Sequence, residues 1–538
     1  MENELSKKMR GRVASSLKPL FPRTHLRAPD PGVTVSRVTS RPEETPSAPS
    51  AVQQFRARTV RQKIHPSESL VAGIVTAQLI FLAWAFGGMP IWSQFVSFGL
   101  GVLALTVALL PRNYDETTAP GQPPFRLYTW SKLIRFPLFW WGLLLFSYIG
   151  IQAVNPAWSY VTDGKSWWMQ AVSYITWLPA GADVPFAIGG PWRMLLIYGA
   201  AWLAVCAVWI GFTRRRTFQF FFTALVSNGF LLACVGMLQR VKGNGKVLGV
   251  FDSPTSYFVA TLLYKNHAAA YFNILLGLAA GLSFWFYTRN LRRLEKSSPA
   301  GTFAFFAAAI AVIVLFSFSR TGTILMLALT IALLTIFLVK QFSLPAEQRS
   351  WLATAIIVLL LGSFVWLGSY SMQLNRVTES MGRLFKGDRE SSIEYRESAH
   401  QATWEMAQDR PGFGWGSGGF RFLFPLYQQR HEQIFRDPGG HRLYWEHAHN
   451  DYLELLAELG AVGCGVLGLG LGFAGWISLK PHARGNPLVL FGLLGLGTTL
   501  AHAWVDFPFQ NPAILTTWCV LLPALGRWAE LEEMNARV

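Results

Sequence analysis

The chain has 538 residues, of which 51% are hydrophobic and only 14% charged, with 22 Trp and 40 Phe. Soluble domains carry roughly 25% charged residues, so this composition excludes a disordered chain and argues against a soluble enzyme. The net charge of +17, from 47 Lys and Arg against 30 Asp and Glu, would suit a nucleic-acid binder. Its placement points elsewhere, because the cations sit in an N-terminal tail and at the ends of apolar blocks of about 20 residues, the length that crosses a bilayer. Membrane lipids are the expected partners, and nucleic acid is not.

Residues 1–66 form the first region. The first 65 hold 13 Lys and Arg against 5 Asp and Glu, in a Pro-, Ser- and Arg-rich stretch without periodicity. No apolar core near Met1 reads as a signal peptide. The expectation is a basic, disordered cytoplasmic tail, with a partner-docking arm as the alternative. Twelve apolar spans follow, near 69–87, 91–110, 133–153, 194–212, 218–238, 267–287, 300–318, 322–341, 352–370, 452–476, 487–505 and 511–527. Each is long enough for a tilted helix, and only helices satisfy their own backbone in lipid. The expected fold is therefore an all-α polytopic membrane protein of about twelve transmembrane helices. Nine lie in 67–370 and three in 452–538, and a large polar loop at 371–451 containing short helices separates them.

Cation counts orient these spans. Arg214, Arg215 and Arg216, then Arg289, Arg292, Arg293 and Lys296, then Lys340 and Arg349, then Lys480 and Arg484 fall in alternate loops, which belong inside by the positive-inside rule. Both termini then lie inside. The loops at 154–193, 239–266 and 371–451, and the turns at Ser319-Arg320 and Asp506, lie outside. The long loop carries an expected helix over Ile393–Gln408 and then a glycine-dense turn, Pro411–Phe420. The four cysteines, Cys206, Cys234, Cys464 and Cys519, lie within apolar segments and match neither a disulfide framework nor a metal-ligand spacing.

Five groups of residues could carry chemistry. The densest is Glu446-His447-Ala448-His449-Asn450-Asp451-Tyr452, where the long loop enters the tenth span. Histidine titrates near neutrality, which suits a general base. A metal site and a structural role at a helix start are the competing readings. Arg320, in Ser319-Arg320-Thr321-Gly322, lies next to hydrocarbon on the outer side, where it contacts a ligand or snorkels to the interface. Arg396 begins the loop helix. The Gly-rich turn, with Gly414 and Gly416, is either a tight turn or a set of amides open to a phosphate. Lys265, Asn266 and His267 start the sixth span, and with Arg240, Lys242 and Lys246 they give the outer face an excess of cations that suggests an anionic ligand.

Taken in order, these motifs resemble the O-antigen ligase/polymerase family of bacterial envelope proteins. Ser319-Arg320-Thr321-Gly322 is similar to its Ser-Arg at an outer helix junction. Arg396, Trp404, Ala407, Pro411, Gly414 and Gly416 are similar to its Arg-then-Pro-x-x-Gly-x-Gly segment. His447 through Leu453, followed by Glu458-Leu459-Gly460, is similar to its His-Asn-x-x-Leu and Glu-x-Gly signature, and Asn266-His267-Ala268 to the start of an earlier span. The resemblance covers roughly 215–525, and the first 65 residues match nothing in it.

The resemblance implies a multi-pass inner-membrane glycosyltransferase with its active site in the periplasm. Such an enzyme moves a glycan from undecaprenyl diphosphate to a glycan or lipid A-core acceptor, without metal or other cofactor. Arg320 and Arg396 would hold the donor diphosphate, and His449 would be the base. His447, Asn450, Asn266, His267, Lys265, Gly414 and Gly416 would line the substrate site. A glycan polymerase and a protein O-oligosaccharyltransferase of the same family are alternatives. A lipid-linked glycan transporter is the alternative of another class, although related halves and interrupted midplane helices are not visible.

Overall fold

Apolar blocks become helices where a capping residue or a proline opens them. His65 Nδ1 accepts from Ser67 N–H at 3.2 Å ahead of α1 (Pro66–Trp84), whose first residue is a proline that has no N–H to satisfy. The computed structural model describes residues 64–115, 124–243, 245–253, 258–293, 297–343, 362, 391–437, 439–480 and 485–537. The basic tail, nearly all of the ninth expected span, and Lys296, Arg349 and Arg484 lie outside the described residues.

α1 is followed by α2 (Ile91–Leu109), the hairpin β1 (Arg112–Tyr114) and β2 (Phe125–Leu127), the short α3 (Trp130–Ile134) and α4 (Pro137–Val154). A small sheet comes next, β3 (Pro156–Thr162), β4 (Trp167–Ala171) and β5 (Gly181–Asp183), in the order β4-β3-β5 with β3 and β5 parallel. Then come α5 (Pro191–Gly211), α6 (Arg215–Lys242), the two-residue strands β6 (Lys246–Val247) and β7 (Phe251–Asp252), α7 (Lys265–Arg293), α8 (Ala300–Phe316) and α9 (Arg320–Phe342). The long loop contributes α10 (Ser391–Asp409) and three single turns, α11 (Phe420–Leu423), α12 (Pro425–Gln428) and α13 (Glu432–Phe435). The chain closes with α14 (Asp451–Ser478), α15 (Pro487–Ala503) and α16 (Pro512–Arg537).

Among the described residues, eight helices are long and apolar enough to cross a membrane: α1, α2, α4, α5, α6, α7, α9 and α14. α8 and α15 are shorter apolar helices. The protein is thus mostly helical and fits a polytopic membrane protein. The loop helix expected over 393–408 spans 391–409. The three small sheets correct the all-α expectation. They form in polar connections, where cross-strand aromatic packing, such as Tyr160 stacked on Trp167 at 5.7 Å, holds strands too short to show a period-two pattern.

α7 is the most buried of the eight. Glycines let its neighbours come close: a Cβ on Gly277 would lie 2.6 Å from the Phe491 carbonyl of α15, and one on Gly281 would lie 3.1 Å from Leu488. Helix ends then sort onto two faces. On one, Gly190 N–H donates to Gly418 O at 3.0 Å and Arg396 Nη1 to Val505 O at 3.3 Å. On the opposite one, the carboxylate of Glu68 is fully buried with Arg112 at 3.3 Å, and accepts from the N–H groups of Thr213 and Arg214 at 2.8 and 2.9 Å and from the Thr217 hydroxyl. Those amides open α6, so a negative charge sits at the positive end of that helix. Arg215 with Glu532, and Lys480 and Arg527 with Glu530, share this second face.

Candidate active site

The site grows from the start of α14. Asn450 is its N-cap: the side-chain oxygen accepts from Tyr452 and Leu453 N–H at 3.0 and 3.1 Å. Entry into that cap places His449 in the left-handed region, at φ 53°, a conformation that costs a non-glycine residue about 1–2 kcal/mol. His447 Nδ1 donates to Glu454 Oε1 at 2.8 Å, and the other Glu454 oxygen accepts from Ala448 N–H at 2.8 Å. Gln510 also donates to Glu454, at 3.0 Å. Burial alone would lower the pKa of His447, but the charge and hydrogen bond of Glu454 raise it above the ordinary histidine value. The turn is therefore bolted down at His447 and Asn450, and His449 is presented between them.

His449 faces a carboxylate that the motifs did not mark. Its Nδ1 lies 3.5 Å from Asp506 Oδ1, and Asp506 is only 2% exposed. Asp506 accepts from the Tyr264 hydroxyl at 3.2 Å, from Phe507 N–H at 2.9 Å and from the Asn266 amide, which also donates to Tyr264 at 2.8 Å. Burial would push the Asp506 carboxyl up. The close approach and charge of His449, and the charges of His502 and His267, instead hold it well below the usual carboxylate range. Burial, reinforced by the nearby Asp506, raises the Tyr264 hydroxyl. Phe507 is the apolar centre of the group: its ring stacks on His447 at 4.5 Å and on Tyr264 at 5.2 Å, and meets His449 edge-on at 4.9 Å. His267 Nε2 donates to the Phe507 carbonyl at 3.1 Å, and His400 Nε2 to the His449 carbonyl at 3.1 Å.

The cations arrive from three other elements. Lys265 is the first residue of α7 and Arg320 the first of α9, where Ser319 caps the helix by accepting from Gly322 N–H at 3.1 Å. Arg396, on α10, reaches the Val505 carbonyl next to Asp506. Lys265 experiences the like charges of Arg320 and Arg396 and the opposite charge of Asp506, so these four groups, separated by up to 241 residues of sequence, share one locality. Phe318, at φ 56°, turns the chain into α9, and the Arg240 guanidinium lies over its ring at 5.2 Å. Lys246 pairs with Asp252 at 3.4 Å.

The glycine-dense turn has a different task. Gly414 and Gly416 have φ of 70° and 105°. Their N–H groups donate to the carbonyls of Arg410 at 3.0 Å and Glu458 at 2.9 Å. In return, Ala461 and Val462 N–H donate to the carbonyls of Pro411 and Gly412. Gly460, at φ 63° and ψ −175°, breaks α14 at that point. A Cβ on Gly414 would collide with the Glu458 carbonyl, and one on Gly416 with Gly181 of β5. The structure spends these amides on a braid between the turn, the kinked helix and the small sheet, which is the tight-turn reading and not the phosphate cradle.

Every candidate residue apart from these two glycines is brought to the histidine turn or the adjoining cations. Asp506, Tyr264, Phe507, Glu454 and His400 are additions from the structure. Their only sequence signal was a lone acidic residue in a turn between two apolar spans. Among the described residues, no group of three or more His, Cys, Asp or Glu side chains is arranged to hold a metal ion.

Fold and site together define a polytopic membrane protein with a histidine–carboxylate pair and a set of cations at one end of its helices. A family model described as O-antigen ligase matches residues 303–468, from α8 through the loop helices to the middle of α14. Over that stretch the chain is similar to the O-antigen ligase/polymerase family, as the motif order implies. No curated protein matches the chain.

Proposed function

We propose that the protein is a glycosyltransferase that moves a glycan from undecaprenyl diphosphate to an acceptor hydroxyl, lipid A-core or a similar glycan, at the periplasmic face of the bacterial inner membrane. The observation that carries this reading is the meeting of Lys265, Arg320 and Arg396 with the His449–Asp506 pair at one end of the bundle. His449 Nδ1 is turned to Asp506, which leaves Nε2 as the group that takes the acceptor proton. The freed oxygen attacks the anomeric carbon as the bond from that carbon to the diphosphate oxygen breaks, with inversion. The departing undecaprenyl diphosphate gains negative charge, and Arg320 and Arg396 hold it with fork-shaped donors. That charge develops during bond cleavage, so fixed cations favour the transition state over the bound donor.

The orientation rests on the positive-inside count, with both termini cytoplasmic. The matched family supports ligase or polymerase chemistry in general, and the product distinguishes them. The test is a transfer assay on purified protein in detergent, with lipid-linked glycan donor and lipid A-core acceptor. Ligated product that His449→Ala abolishes supports the assignment. Longer lipid-linked chains without acceptor use indicate a polymerase. A His449→Ala protein with full activity rules the base out, and transport of intact donor without any product rules out the enzyme.

A further inference from the structure

The face opposite the histidine cluster carries a second, unrelated arrangement. Between the spanning helices α2 and α4 the chain runs Phe125-Arg126-Leu127-Tyr128-Thr129-Trp130-Ser131-Lys132-Leu133-Ile134-Arg135-Phe136, without a single carboxylate. Its large side chains point outward: Phe125 is 41% exposed, Tyr128 58%, Trp130 54% and Ile134 40%. Cations alternate with them. Arg126 lies over the Tyr128 ring at 5.3 Å, and Arg135 is exposed. By chain position this segment sits where hydrocarbon ends, and exposed aromatics interleaved with cations are suited to that depth.

The segment also closes one side of a cationic notch. Phe136 stacks on Trp209 at 4.3 Å, and the Arg527 guanidinium of α16 approaches the same Trp209 ring at 6.0 Å. Lys132, on α3, is half-buried beside Arg527 and forms no ion pair among the described residues. Burial, then the charges of Arg527 and Arg112, hold its ammonium below the ordinary lysine value. The carboxylate that acts on Lys132, Glu68, opposes this shift but is already committed to Arg112 and the Thr213 and Arg214 amides, and Glu530 is divided between Arg527 at 2.6 Å and Lys480 at 3.4 Å. Arg112, Lys132, Lys480 and Arg527 thus outnumber Glu68 and Glu530 at this end of the helices, next to an apolar, aromatic shelf.

We infer that this notch, built from Lys132, Arg527 and the exposed 125–136 segment, seats the headgroup of an anionic phospholipid. The phosphate lies between the Lys132 ammonium and the Arg527 guanidinium, and the acyl chains run along Trp130, Ile134 and the exposed Trp140, whose Nε1 donates to the Ile134 carbonyl at 2.7 Å. A zwitterionic lipid brings its own cation into the notch and is disfavoured. The inference rests on the membrane-spanning reading and is independent of the transfer chemistry.

Native mass spectrometry of the full chain, released from neutral detergent, measures it. Phosphatidylglycerol and phosphatidylcholine with identical acyl chains are offered separately. The expected result is retention of phosphatidylglycerol over phosphatidylcholine. The preference should weaken about fivefold in Lys132→Gln or Arg527→Gln and roughly thirtyfold in the double variant, the factor expected from one and two cations at an anionic leaflet. Lys165→Gln, in the exposed β3–β4 connection on the other face, leaves it unchanged. Equal retention of both lipids by the wild-type protein overturns the inference without recourse to any variant, and so does a folded double variant that keeps the preference. Displacement of phosphatidylglycerol by millimolar inorganic phosphate would show a free-phosphate site and overturn the lipid assignment.

Discussion

Replacing Asp506 with Asn tests the candidate site most directly. The substitution keeps the side-chain shape and one oxygen for the Phe507 N–H, removes the charge beside His449, and replaces the oxygen that accepts from the Asn266 amide and the Tyr264 hydroxyl with an NH2 group. The two groups are 3.5 Å apart. At an effective dielectric constant of about 20, a unit ion pair at that separation is worth about 4.7 kcal/mol. His449 is 24% exposed, and solvent screening lowers this to about 3 kcal/mol. In the proposed step His449 takes the acceptor proton, so the charge that Asp506 stabilises develops during the reaction and the loss falls on the chemical step. At 1.36 kcal/mol per factor of ten, Asp506→Asn should lower kcat by about 160- to 3000-fold. The KM for donor should stay nearly constant, because the cations proposed to hold the diphosphate are untouched. The assay is product formation from lipid-linked glycan and acceptor across a range of donor concentrations, with thermal unfolding recorded on the same preparation. A folded Asp506→Asn protein within threefold of wild-type kcat refutes the argument, and so does a loss confined to KM.

Other expectations follow from the same geometry. Arg320→Gln and Arg396→Gln should each lower kcat/KM by about 10²- to 10³-fold, as loss of a single donor to developing charge does, and the transfer assay reads this. The depressed Asp506 pKa means that its ionised form stabilises the fold fully above the unfolded value of about 3.9, and that this is lost as pH falls through the folded value; unfolding temperature against pH should show this acid limb in wild type and not in Asp506→Asn. His447 has the opposite sign: its raised pKa contributes stability in full below about 6.5, lost as pH rises through the folded value, and Glu454→Gln should flatten that limb in the same titration. Gly414→Ala must place a Cβ against the Glu458 carbonyl at φ 70°, so it should cost at least about 1–2 kcal/mol, read as a lower unfolding temperature. Glu68→Gln strands the fully buried Arg112 and should cost about 3–5 kcal/mol by the same measurement.

The apolar spans were legible because a bilayer demands about 20 uncharged residues in a row, a signal that survives without any partner. Helices occur at eleven of the expected positions, and the ninth lies outside the described residues. The polar motifs were legible as well, because His447, His449 and Asn450 act at short range through a cap. Asp506 was not. Its partner Tyr264 lies 242 residues away, and one carboxylate in a turn carries no periodicity. The small sheets escaped because strands of two to seven residues in polar loops show no alternation long enough to read. Gly414 and Gly416 show the limit of composition. Glycine density announces positive φ and close approach, and both occur here, but whether a phosphate or another backbone makes the approach depends on the distant Gly460.

The buried Glu68 also bears on how the chain is assembled. Its partners enter synthesis at intervals: Arg112 after another 44 residues, the Thr213 and Arg214 amides and the Thr217 hydroxyl only after 145 to 149. An ionised carboxylate without these partners is costly to bury away from water. In the folded chain the amides at the start of α6 cover the charge and fix α1 against α6. Glu68 thus ties the start of the first spanning helix to the start of α6, and an arrangement without α6 would leave its carboxylate without the Thr213, Arg214 and Thr217 donors.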